Sequence, residues 1–564
     1  MEEIPDTLLL EERAALAMNA VAGLADPALD GIPFFSANLL DRPASLRHGD
    51  WDYGSSHGRL TDASVLARHM TGRDDWTESE RRYRTGLLSF LAPDGLSYRR
   101  SHPRGHWAPN ANLIDQRATL LALTTCYLDG EDPVVKRAAD RQVAALRRIA
   151  VKERDAWFYP ASEYTASGWP SSNAVDLKLA PDPASFSGRL IMPLLRYHQA
   201  TGNPGALELC AWFARLIVSR SGVFNSDGSF NSALAYRSGH FHTRLGTLDG
   251  LARYAVFAGD HSLTAFVRRG YDWALGQATS FGWTPGDLAD QRFEHESCSL
   301  VDLISIGICL AKAGYPQYWQ VAERFLRNHL TESQLRNLDW AESAPDRSGD
   351  EPGWITYYQV ADRVRGAFAG YGAPNDVVSD VPLGRGHTSD VQACCVGSGV
   401  RGLFLGWNSI VTDVGGIPRV NLLLSRSHGL LDVTSWLPHE GRIDIAVRED
   451  RRELRVRVPD WAGYAKVVTR RQAAVVPTAW APDGYLSVPD PRAGERITIE
   501  FPVVTSTVTD TAAGREFVTR WRGDDVTGIS PEGTVLPMYG ARPLNGPAPL
   551  RPDPRHRPAQ EWTW

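Results

Sequence analysis

Arg117-Ala-Thr-Leu-Leu-Ala-Leu-Thr-Thr-Cys-Tyr-Leu128 carries apolar residues at helical spacing and runs straight into Asp129-Gly-Glu-Asp-Pro133. A glycine closes the helix, and an Asp-Pro pair is suited to opening another. The same punctuation recurs along the first 400 residues. Leu190-Ile-Met-Pro-Leu-Leu-Arg-Tyr-His-Gln-Ala200 meets Thr-Gly-Asn-Pro204, Leu245 to Phe257 meets Ala-Gly-Asp260, and Leu300 to Ala313 meets Gly-Tyr-Pro316. Most of these helices are followed by a short turn and a second helix. Helical hairpins of roughly 50 to 60 residues predict a closed ring of paired helices, an (α/α) barrel, rather than an open solenoid. Six hairpins is the expected count.

From about residue 417 the pattern changes to period two. Val420-Asn-Leu-Leu-Leu-Ser425, Ile443-Asp-Ile-Ala-Val447, Leu454-Arg-Val-Arg-Val-Pro459 and Ile497-Thr-Ile-Glu-Phe-Pro502 alternate or are rich in β-formers, with Gly, Pro and Asp between them. They predict an antiparallel β-sandwich of about 100 residues. The expected class is therefore mainly α with a β domain. The expected divisions are an (α/α) barrel over 1–415, the sandwich over 416–510, and an extension over 511–564. That extension begins β-rich and ends in a Pro/Arg-rich tail that wraps the surface or is partly disordered.

Composition sets outer bounds. The chain has 564 residues, 43% hydrophobic and 22% charged, with a formal charge of −6. That mild balance gives no reason to expect nucleic acid or an anionic membrane as partner. No run of eighteen apolar residues occurs. The first residues, Met-Glu-Glu-Ile-Pro, are acidic where an export signal is basic, so a cytoplasmic location with reduced thiols is expected. No GxGxxG or P-loop is present. Eighteen tryptophans and eighteen tyrosines suit either a sugar cleft or a helical core.

Six cysteines remain to be placed. Two are adjacent, Cys394-Cys395, in Ser389-Asp-Val-Gln-Ala-Cys-Cys-Val-Gly-Ser-Gly399, and Cys298 lies in Phe293-Glu-His-Glu-Ser-Cys298 beside carboxylates and a histidine. Adjacent cysteines seldom bridge each other, because the geometry is strained. Three thiols and a glutamate form a ligand set for tetrahedral zinc. Ordinary buried thiols are the alternative, since no CxxC brackets either half.

Glu296-Ser-Cys298, the helix after it, and Tyr315 to Leu330 ending in Asn-His-Leu resemble the zinc-dependent, cysteine-nucleophile β-L-arabinofuranosidases (glycoside hydrolase family 127 and relatives). Cys394-Cys395 before a helix is similar to their second ligand element. Ser187-Gly-Arg-Leu-Ile191 leading to Tyr197-His-Gln-Ala-Thr-Gly-Asn203 resembles a family helix. Val456-Arg-Val-Pro-Asp-Trp-Ala462, Gly484-Tyr-Leu486 and Gly494 to Pro502 are similar to its β domain. The likeness spans about residues 30 to 530.

The resemblance implies one zinc held by Glu296, Cys298, Cys394 and Cys395, with Cys394 as nucleophile. Zinc keeps such thiols ionised at neutral pH. Helices expected to start near Ser299 and Ser398 would turn their positive ends toward the cluster. A thioglycosyl intermediate and retention of configuration would follow. A purely structural zinc site is the competing reading. For the general acid, Gly286-Asp287 matches the family's Gly-Glu pair with a shorter spacer, and Glu294 is the alternative. A plain turn aspartate reads equally well in Thr-Pro-Gly-Asp.

The chain departs from the family at three places. Val396-Gly397-Ser398 stands where two prolines and an asparagine are usual. Arg189 replaces a histidine that meets the sugar, which favours a carboxylate-bearing substrate or else marks a surface arginine. After Trp107-Ala-Pro109, the residues Asn110, Asn112 and Asp115 stand where aromatic and histidine residues are usual. His242, with neighbour His240, is the candidate sugar contact, a structural histidine being the alternative.

The expected activity is a retaining exo-glycosidase releasing a terminal furanose, β-L-arabinofuranose or a related sugar, acidic ones included, from a small oligosaccharide or glycoside. One alternative is a lyase on a uronate-containing substrate using His242, Tyr236 and Arg189. Another is a non-catalytic, zinc-containing sugar-binding relative. The sandwich domains could pair two copies into a homodimer.

Overall fold

A computed structural model describes residues 3–49, 51–100, 109–153, 156–170, 182–231, 240–288, 295–377, 390–540, 544 and 546–562. Twelve helices of eight residues or more occur among them. They are α1 (Leu10–Gly23), α2 (His57–Thr71), α3 (Thr77–Ser89), α4 (Leu113–Leu128), α5 (Pro133–Ile149) and α6 (Ile191–Thr201), then α7 (Pro204–Ser219), α8 (Phe241–Ala258), α9 (His261–Leu275), α10 (Ser297–Lys312), α11 (Tyr318–Phe325) and α12 (Ala393–Ile410).

The even-numbered helices close a ring. α2 packs on α4, α4 on α6, α6 on α8, α8 on α10, α10 on α12, and α12 returns to α2. The odd-numbered helices lie outside, α3 against α2, α5 against α4, α7 against α6, α9 against α8 and α11 against α10, while α1 covers the seam between α12 and α2. This is the expected (α/α) barrel with six hairpins. The inner helices are buried almost all round, whereas α5 buries Val135, Ala138, Ala139, Gln142, Val143 and Leu146 on one stripe.

The turn signals work through named atoms. Gly202 and Gly259 end α6 and α8 with positive φ, which glycine adopts without penalty. Asp132, Asn203 and Asp260 then cap the outer partners by accepting from the backbone N–H of Val134, Ala206 and Leu263. Pro133 and Pro204 occupy first-turn positions where no N–H is needed.

α12 passes directly into the first strand of the β region. One sheet has five strands in the order Val411–Val414, Ile417–Val420, Glu453–Val456, Leu486–Pro489, Ala479–Trp480, antiparallel except for the second and third. The other has six antiparallel strands in the order Arg426–Ser427, Leu431–Ser435, Arg442–Val447, Arg496–Glu500, Val468–Arg471, Ala474–Val476. Registers such as Val433 opposite Ile445 opposite Ile497 place apolar side chains in rows within the core. A three-stranded meander over Thr505–Ala512, Arg515–Arg522 and Asp525–Ser530 follows.

Residues 546–562 of the tail run back over the barrel. Leu550–Pro552 pairs with Glu3–Pro5, and Trp562 stacks on His69 with ring centroids 4.0 Å apart. Among the described residues no helix is long and apolar enough to cross a membrane.

The barrel and the β region are joined through buried charge. Glu323 on α11 accepts from Arg327 (2.7 Å), from the backbone N–H of Leu423 (2.9 Å) and from Arg457. Arg327 also meets Asp525 at 3.3 Å. Asn328, the first residue of the Asn-His-Leu element, accepts from Val526 N–H at 2.8 Å and donates to the Asp524 carbonyl at 2.9 Å. Glu323→Ala would leave two buried guanidiniums without their main acceptor. It should cost about 3–5 kcal/mol, read as a lower urea midpoint at an unchanged slope. A loss under about 1 kcal/mol would show that the seam is held by apolar packing instead.

Candidate metal and active site

Inner helices alternate with outer ones, so all six inner helices point the same way along the barrel. Their first turns meet at one mouth. Arg59 comes from α2, Arg117 from α4, Arg189 from the turn before α6, His242 from α8, Cys298 from α10, and Cys394 and Cys395 from α12.

The three thiols come together as the sequence predicts. Their Sγ atoms lie within 4.8 Å of one another, with Cys298 and Cys395 3.7 Å apart. The helices begin earlier than expected, at Ser297 and Ala393 rather than Ser299 and Ser398. The thiols therefore sit inside the first turns, where the uncapped N–H groups concentrate positive potential. Cys298 and Cys395 are buried, and Cys394 is half-exposed.

Arg59 is the cation of the cluster. Its Nη1 donates to Cys298 Sγ (3.1 Å), Ser398 Oγ (3.3 Å) and the Cys394 carbonyl (3.4 Å). Burial opposes ionisation of Cys298, but hydrogen bonds from the Cys394 and Cys395 thiols and the charge of Arg59 outweigh it and hold Cys298 well below the usual thiol range. The same sharing pushes Cys394 and Cys395 up. Ionisation is thus favoured at Cys298 and opposed at its two neighbours. A dication would let the other thiols ionise.

The Val-Gly-Ser departure has a structural reason. A Cβ on Gly397 would stand 2.8 to 2.9 Å from Cβ, C and O of Arg59, so glycine allows α2 and α12 to touch. Ser398 supplies the hydroxyl that Arg59 meets.

Glu296 lies at the start of α10, 8% exposed, and its Oε1 meets His240 Nε2 at 3.1 Å. It is outside the three-thiol group, but it acts with Cys394 and Cys395 on the hydroxyl of Tyr371, whose pKa rises chiefly through burial. Gln392 Oε1 faces both thiols of the vicinal pair, 3.6 and 3.8 Å away. Three converging soft donors with a carboxylate in the same field fit a zinc-type ion.

Arg189 is 5% exposed, which removes the surface-arginine reading. Its Nη2 meets His242 Nε2, and Arg59 Nη2 meets the same nitrogen at 3.1 Å. His242 Nδ1 faces Asp302 Oδ2 at 2.6 Å. Two guanidinium donors on Nε2 assign the proton to Nδ1, and burial followed by the charge of Arg189 keeps the ring neutral. Both nitrogens of His242 are committed to protein partners. Asp287 is half-buried, and its backbone bridges that of His240. Glu294, Tyr236 and Trp107 lie outside the described residues.

Sequence reasoning missed Arg59, Arg117 and Asp302. The available signal was a polar stripe on α10, because Cys298, Asp302 and Ser305 share one helix face at spacings of four and seven.

No protein-family model matches the chain, and no curated protein does. Solved structures match over most of its length. Ara127N, a GH127 β-L-arabinofuranosidase from Geobacillus stearothermophilus T6, superposes with a TM-score of 0.58 at 14% identity, over 91% of this chain and 80% of that one. The GH127 β-arabinofuranosidase BT3674 gives 0.58 at 13% identity, over 91% and 79%. A protein described as a glycoside hydrolase gives 0.57 at 14% identity, over 89% and 84%. At these identities the likeness is one of fold, and at that level the resemblance to GH127 holds.

If the trio holds a metal, the purified protein should carry about one equivalent of zinc. Cys298→Ala and Cys395→Ala should each lose most of it, while Cys126→Ala, altering a remote buried thiol, keeps it. Equal metal content in all three variants, measured by elemental analysis, would make the trio a packing feature.

Proposed function

We propose that this protein is a retaining glycoside hydrolase that releases a terminal furanose, β-L-arabinofuranose or a carboxylate-bearing relative, from a small glycoside. The observation that carries the proposal is the unequal exposure of three clustered thiols. Cys298 and Cys395 are buried, and Cys394 is the one of the three that keeps partial exposure among the described residues. A purely structural site has no need of an accessible sulfur.

Zinc bound by Glu296, Cys298, Cys394 and Cys395 would supply the charge that keeps the thiols ionised near neutral pH. The Cys394 sulfur attacks the anomeric carbon as the bond to the leaving oxygen breaks. That oxygen takes a proton from a carboxylic acid, Asp287 in this reading, with Glu294 as the other candidate. The resulting carboxylate then takes a proton from water. The water oxygen displaces sulfur from the anomeric carbon, and two inversions leave the configuration retained. Gln392 and Arg59 steady the sulfurs through the contacts described above.

Arg189 gives the mouth a buried guanidinium that suits a carboxylate on the sugar by paired hydrogen bonds. His242 orients Arg189 and Arg59 rather than acting as a base, because its lone pair already faces both. That weakens the lyase reading, which needs a free base. In this reading the enzyme works in the cytoplasm, completing the breakdown of imported oligosaccharides. A homodimer through the sandwich remains the proposed assembly.

Cys394→Ser should lower turnover of an aryl β-L-arabinofuranoside or its carboxylated analogue by roughly 10³-fold or more, with melting temperature little changed. A fully active variant would remove Cys394 as nucleophile. Arg189→Gln should raise KM for the carboxylated substrate selectively.

A further inference from the structure

Beneath the mouth, all six inner helices line a second space on the barrel axis, of about 40 Å³. Arg59, Arg117, Arg253 and Arg401 face it, with Asp249 and Asp302. Most of these charges have partners. Arg253 donates to Asp249 (3.1 Å) and Ser305 (2.7 Å), and Arg401 donates to Asp62 (2.6 Å). Arg59 is taken by the Cys298 thiol, the Cys394 carbonyl and Ser398, and Asp302 accepts from His242.

Arg117 is different. It is 9% exposed, its Nε is buried without an acceptor, and among the described residues none of its nitrogens has a hydrogen-bond or ion-pair partner. Burial and the charges of Arg189 and Arg59 disfavour its protonated form, and the weaker pull of Asp302 and Cys298 does not offset them. A buried guanidinium without acceptors is costly, because it loses hydration and gains no hydrogen bonds, and Asp302 and Cys298 act on Arg117 only from beyond hydrogen-bond reach. Water could accept from it but would add no negative charge. The space admits one monatomic ion or a water or two, and it is too small for a sugar ring.

We propose that the axial cavity is a halide site in which one chloride ion rests against the guanidinium of Arg117. The ion would complete the charge balance of the barrel core without entering the reaction, and the proposal stands whether or not the protein is a glycosidase. The other anion able to serve Arg117 is a carboxylate, from a buffer or from a substrate reaching down the axis.

The test uses the full chain dialysed into sodium gluconate. Replacing gluconate by bromide or chloride at constant ionic strength should raise the melting temperature by roughly 1–4 °C. Bromide-soaked crystals should give an anomalous peak beside Arg117. Arg117→Met should abolish the halide-specific shift, while Arg215→Met, altering an arginine that lies over Trp212 on an outer helix, keeps it. No halide-specific shift and no anomalous peak in the wild-type protein would overturn the site. So would an equal shift with acetate, which would assign Arg117 to carboxylates. The wild-type measurements decide the matter even if Arg117→Met fails to fold.

Discussion

The mouth of this barrel depends on one balance of charge, that between the Arg59 guanidinium and the thiols of Cys298, Cys394 and Cys395. Six inner helices running the same way bring six first turns to one place, and those of α8, α10 and α12 have no side-chain cap on their N–H groups. Such a place favours negative charge, and α10 and α12 answer with sulfur. Arg59 then ties Cys298 to the α12 backbone and to His242, so that one cation spans three helices. Gly397 is the steric condition for this arrangement, because any larger residue would press on the α2 backbone.

The remainder of the chain fixes that geometry from outside. Outer helices cover the apolar flanks of the ring. The Glu323 cluster binds α11, and through it α10, to the β region. The returning tail places Trp562 against His69 on α2, at the opposite end of the barrel from the thiols. Neither contact touches the mouth. Both restrain the inner helices that present Arg59 and Cys298.

Much of this was legible in the sequence for physical reasons. Glycine and Asn/Asp-Pro punctuation reads directly as C-cap, N-cap and first turn, and period-two runs such as Ile443 to Val447 read as strands. The vicinal cysteines and Cys298 stood out because thiols are scarce in this chain. Arg59, Arg117 and Asp302 did not. On a single helix, a charged residue between apolar ones reads as a solvent face, and only closure of the ring turns that face inward. Arg189 was ambiguous for the same reason. The helix starts at Ser297 and Ala393 were placed late because Ser-Cys and Ala-Cys-Cys carry no apolar periodicity. The path of the Pro/Arg-rich tail follows partners hundreds of residues away, Glu3–Pro5 and His69, which local composition does not encode.

The central claim is that Cys394 sulfur forms the bond to the sugar. The most direct measurement is peptide mapping by mass spectrometry of enzyme quenched in acid during turnover of an activated furanoside. The account predicts one added glycosyl mass on the peptide containing Cys394, absent before substrate is added. The same adduct on an aspartate or glutamate peptide, or hydrolysis with inversion and no adduct at all, would contradict it.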